Sequence, residues 1–167
     1  MNTGIVRSLL SLIFFLPLLL QAQTDSSVVL TVEGDIPKTV TFTAAQLAAM
    51  NKTEVRAMSM SGESHVYTGI VVADILKAAA VIGPSTHRDN LTKYMLVRSA
   101  DNYQVLFSLT ELDSAFSGRT IILANLVDGK PLPESKGPYR MVVPGEEKRQ
   151  ARWIWGVTTF IIRITKE

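Results

Sequence analysis

Tyr67-Thr68-Gly69-Ile70-Val71-Val72-Ala73-Asp74-Ile75-Leu76 is the stretch on which the fold of this chain turns. Its first half is β-prone around a glycine, and its second half changes period. Val72, Ile75, Leu76 and Ala79 fall at i, i+3, i+4 and i+7, so one apolar face is predicted on a helix over 71–81. Asp74 and Lys77 sit on the opposite side, and Gly83-Pro84 stops the helix. Gly69, lacking a Cβ, is expected to let the backbone turn tightly into it.

Short strands are predicted on both sides. Upstream, Val28 to Glu33 and Thr39 to Phe42 read as strands, and Thr43 with Gln46 forms a capping box over a short helix. Val55 to Ser61 alternates and is predicted as a strand with one buried face. Downstream, a polar linker from Ser85 to Thr92 leads into a hairpin, Tyr94 to Arg98 and Tyr103 to Phe107, around Ala100-Asp101-Asn102. Ser108 and Glu111 make a second capping box, over a short helix around Leu109 to Phe116. Thr120 to Leu126, Arg140 to Val143 and Val157 to Ile164 complete the strands. Strands mixed with short helices, without a repeat or a dividing linker, point to one α+β domain.

Composition narrows the function classes. The 167 residues carry 17 basic and 15 acidic side chains, a net charge of +2, which argues against a nucleic-acid partner. Arg7 precedes an apolar run, Leu9 to Leu20, broken only by Ser11 and Pro17 and closed by Gln21-Ala22-Gln23. That pattern predicts a signal peptide over 1–22 and an exported domain over 23–167, periplasmic or secreted, without a membrane span. The run is too short to be a comfortable anchor, which takes about 20 apolar residues. The chain has no cysteine, so disulfides, thiol chemistry and cysteine-held zinc, iron–sulfur or haem are excluded. Asn51-Lys52-Thr53 and Asn90-Leu91-Thr92 match the glycosylation acceptor pattern.

Three ordered stretches carry a family resemblance. They are the opening stretch above; Ala100-Asp101-Asn102-Tyr103 through Phe107-Ser108-Leu109-Thr110-Glu111-Leu112; and Asp128-Gly129-Lys130-Pro131-Leu132 with Gly137-Pro138-Tyr139-Arg140-Met141-Val142-Val143-Pro144 and Trp153. Together they resemble the molybdopterin-binding domain of sulfite-oxidase-type oxidoreductases over about Val28 to Ile164. The resemblance implies a mixed, barrel-like β-sheet core with short helices, and molybdopterin, the molybdenum cofactor, as the group to be held. It also implies basic residues after the Pro144 position that bind the pterin's phosphate, here Lys148, Arg149 and Arg152, partly cancelled by Glu146 and Glu147.

The resemblance breaks at the metal. In such enzymes a cysteine thiolate on the strand before Tyr67 completes the molybdenum coordination; here Ser59 or Ser61 stands in its place. A thiolate, with a reference pKa near about 8.5, is a soft donor, whereas a serine hydroxyl holds its proton far more tightly. Either serine also reads as an ordinary strand hydroxyl bonded to backbone. Arg140 can clamp phosphate or carboxylate bidentately, or sit in a structural salt bridge. His65 borders the candidate pocket, and with His87 22 positions away no metal site is expected. The sequence therefore predicts a domain that binds a small anionic or pterin-like ligand, or a protein partner, without cysteine-ligated redox chemistry. A molybdenum oxidoreductase with a serine ligand is the alternative.

Overall fold

The computed structural model describes residues 27–83, 88–146 and 148–165. The expected signal peptide, Pro84, the start of the polar linker through His87, and Glu147 lie outside the described residues. In chain order the elements are β1 (Val28–Gly34), β2 (Val40–Thr43), α1 (Ala44–Ala49), β3 (Lys52–Met58), β4 (Ser64–Val71) and α2 (Val72–Ala78). A 3-10 turn (Asp89–Thr92) follows, then β5 (Lys93–Ser99), β6 (Gln104–Ser108) and α3 (Leu109–Leu112). The chain ends with β7 (Ile122–Val127), β8 (Lys130–Pro131), β9 (Arg140–Val142) and β10 (Val157–Ile164).

These strands form two sheets, with the α+β composition expected. One runs β2-β1-β10-β5-β6; the other runs β3-β4-β7-β8, with β9 also on β7. In the first, β1 and β10 pair in parallel, Val32 opposite Phe160, while its other neighbours are antiparallel. β10 is buried from Phe160 to Ile162, as suits a β-branched strand with partners on both sides. The expected barrel-like closure is not formed: both sheets stay open. β3 shows why, since Lys52, Glu54 and Arg56 occupy its exposed positions, and such charges protect a free edge from further pairing.

One continuous core joins the two sheets, with Leu30, Val32, Met95, Val97, Phe107, Phe160 and Ile162 from the first and Ile122, Leu123, Met141 and Val142 from the second. Val72, Ile75 and Leu76 of α2 are fully buried in it, as the helical spacing predicts. The helix ends at Ala78, short of the expected 81. Ala80 turns left-handed at φ 57° and the Val81 amide donates to the Leu76 carbonyl at 2.8 Å, closing the helix early. No helix among the described residues is long and apolar enough to cross a membrane.

Two local expectations change. Gly69 lies inside β4, beside a register irregularity, with the β7 backbone against it; its role is close approach rather than a turn into the helix. The strand expected to reach Ser61 stops at Met58, so Ser59 and Ser61 lie in the β3–β4 turn. That turn, the β5–β6 turn, β9 and the segment leading to β10 meet around a single arginine.

Candidate functional site

Arg140 opens β9, whose three residues are all buried. Its backbone pairs with Ala124 of β7 on one side and bridges Trp155 on the other. The side chain is only 7% exposed and lies among aromatic rings, its guanidinium carbon 3.9 Å from the Trp155 ring centre, 5.0 Å from Trp153 and 5.7 Å from Tyr67. Its Nη2 donates to Gln150 Oε1 at 3.1 Å, while Nε reaches the Trp153 carbonyl at 3.4 Å and Nη1 the Tyr67 hydroxyl at 3.5 Å. Among the described residues no carboxylate touches it, so the structural salt bridge is absent. Burial pushes its pKa below the ordinary arginine value, with the Tyr67 hydroxyl pulling the other way. A guanidinium nevertheless keeps its charge in proteins.

A cavity of about 330 Å³ opens in front of it, lined among others by Met60, Ser99, Asp101, Tyr103, Gln150 and Trp155. The Asp101 carboxylate accepts from the Ser99 hydroxyl and the Tyr103 amide, which hold its pKa below the usual range, the Ser99 bond acting most strongly. Tyr103 closes one wall by donating its hydroxyl to the Ala151 carbonyl at 3.1 Å. A somewhat larger cavity of about 400 Å³, beside Leu126, Leu132 and Tyr139, has Glu134 as its only charged lining residue.

The other predicted anion ligands do not converge on Arg140. Arg152 reaches both Glu146 and Glu111, its Nε donating to Glu146 Oε2 at 3.0 Å and its Nη1 to Glu111 Oε1 at 3.0 Å. Arg119 joins the same Glu146 at 3.2 Å. The carboxylates raise the Arg152 pKa, and Arg152 lowers that of Glu146. A guanidinium so neutralised has little field left for a phosphate. Lys148 and Arg149 are exposed and border a different cavity, of about 320 Å³, with Gly145, Glu146, Gln150 and Ala151.

The metal position is equally changed. Ser59 Oγ lies 2.7 Å from Ser61 Oγ and accepts from the Glu63 amide at 3.1 Å, while the Ser61 hydroxyl reaches Glu63 Oε2 at 3.3 Å. Both hydroxyls thus serve the turn, and no thiolate exists to replace them. Among the described residues no three His, Asp or Glu side chains gather where a metal ion could sit. The donor set does not fit a cysteine-ligated molybdenum centre. His65 is not in the cavity lining: its Nδ1 meets Asp128 Oδ2 at 2.6 Å, and its ring packs edge-on against Tyr67. Asp128, which also accepts the Val66 amide, has its pKa lowered first by that amide and then by His65. Sequence reasoning missed Gln150, the acceptor on Arg140, and the lining role of Met60, Asp101, Tyr103 and Trp155. Asp101 and Tyr103 stood within a resembling stretch but read as a hairpin turn.

A family model described as the oxidoreductase molybdopterin binding domain matches residues 19–160. No curated protein matches. Among solved structures, the sulfane dehydrogenase SoxCD from Paracoccus pantotrophus shares the fold, with a TM-score of 0.61 and 20% identity over 83% of this chain. The chain spans 39% of that chain's length. Its sheets, its turns and the matched residues all agree: this chain belongs to the oxidoreductase molybdopterin binding domain family.

Proposed function

We propose that this domain is an exported binding module of its family, which holds a pterin-like or small anionic ligand at Arg140 without cysteine-ligated molybdenum redox chemistry. One observation carries the reading: a guanidinium 7% exposed faces a cavity, and no carboxylate among the described residues neutralises it. Buried charges in proteins are normally paired, and an anion from solution supplies the missing partner. Trp155 and Tyr103 in the same lining add aromatic surface, which suits a ligand with a flat body. The Arg152 ion-pair network and the Ser59–Ser61 turn argue against the phosphate and metal contacts of the loaded enzymes.

The test is to purify the protein from the exported fraction of its own host and measure molybdenum and extractable pterin per chain. Pterin or a small anion without molybdenum is the expected result. Near-stoichiometric molybdenum would instead support the cofactor-dependent oxidoreductase. In the same preparation Arg140→Ala is expected to lose the bound anion, at least about tenfold in affinity, since charged hydrogen bonds contribute about 1.5–3 kcal/mol. Unchanged binding removes Arg140 from the site.

A further inference from the structure

Gln150 is placed unusually for a loop glutamine. Its backbone is left-handed at φ 47°, a region that residues with a side chain seldom adopt. The amide of Gln150 donates to the Glu146 carbonyl at 3.0 Å, and its carbonyl accepts from the Trp153 amide at 3.0 Å, so the main chain is pinned on both sides. The side chain then reaches in two directions. Nε2 donates to the Met58 carbonyl at 2.7 Å, and Oε1 accepts from Arg140 Nη2 at 3.1 Å. Of the three acceptors around Arg140, this one alone lies within ordinary hydrogen-bond distance.

We propose that Gln150 is a built-in competitor for the ligand of Arg140: its carboxamide oxygen holds the place that an oxygen of a small oxyanion takes, and the oxyanion binds by displacing it. This rests on Arg140 being the anion site. A carboxamide is an uncharged relative of a carboxylate in shape, so it satisfies the guanidinium geometrically while leaving its charge uncompensated. A carboxylate or phosphate adds the charge and a second oxygen, which makes the stronger bond. Against this stands the loss of the Gln150–Met58 contact. Gln150 therefore sets the affinity threshold and favours charged oxyanions over neutral carbonyl compounds, which gain nothing by the exchange.

The full chain is titrated calorimetrically with formate and with inorganic phosphate, comparing wild type with Gln150→Ala, Gln150→Asn and Gln150→Glu. Removing the competitor in Gln150→Ala is expected to tighten binding of at least one probe about tenfold. Gln150→Asn guards against misfolding, because asparagine tolerates the left-handed backbone while its shorter arm cannot span Arg140 and Met58; the same gain is expected. Gln150→Glu places a permanent carboxylate on Arg140, at the cost of the hydrogen bond to the Met58 carbonyl, and is expected to weaken binding at least tenfold. If the wild type binds and the Ala and Asn variants bind no better, the competitor is refuted and the Arg140 site stands. If no variant binds either probe, and Arg140→Ala behaves like the wild type, both readings fall together.

Discussion

A Cβ added at Gly69 would collide with the Leu123 carbonyl oxygen and stand 2.5 Å from the Ala124 Cα, both on β7. These are backbone atoms of a buried strand, so they cannot swing aside as a side-chain tip could. Gly69→Ala is therefore expected to destabilise the domain by about 3 kcal/mol, read as a lower urea midpoint; a shift within experimental scatter would show that β4 and β7 part easily. Ala124 in turn pairs with Arg140, so this tight contact also fixes the site. At this scale the sequence was only partly legible. Arg140 stood in a patterned stretch and could be singled out. Gln150 could not, because a lone glutamine in a polar loop carries no periodic signal, and its importance arises from a backbone angle and two distant partners.

Among the elements, the two capping boxes form as read: Thr43 with Gln46 opens α1, and Ser108 with Glu111 opens α3. Such motifs lie within four residues, so the sequence contains both partners. The end of α2 and the end of β3 depend on how the next segment packs, which local pattern does not encode. Burial also rules on the second of the two acceptor patterns, since Asn90 is fully buried and donates to Asp113 at 3.1 Å, leaving no room for a glycan, whereas Asn51 is exposed. Glu111 does double duty, capping α3 and pairing with Arg152, which ties this helix to the segment before β10. Glu146 in the same network has its pKa lowered from 4.5, first by the Arg152 hydrogen bond. A lowered folded pKa stabilises above the unfolded value and loses that contribution as pH falls through the folded one. Arg152→Met should therefore cost about 1 kcal/mol or more at pH 7 and distinctly less at pH 3, by urea midpoints at both. An equal gap at the two pH values would show that packing, not charge, makes Arg152 useful.

At the scale of the whole molecule, β10 lies between β1 and β5 and is the one strand that joins the chain's first hairpin to the rest of its sheet. The α+β class was legible because alternating and helical periods are local. The parallel register of Val32 with Phe160 was not, since pairing between distant strands leaves no mark in either. A chain ending at Gly156 is expected to show no cooperative melting transition, measured by circular dichroism; a sharp transition would mean that the other sheet folds alone. The same feature bears on synthesis. Because β1 takes β10 as its parallel partner, a ribosome must release every residue between them before this sheet can be zipped, and until then that side of β1 waits unpaired.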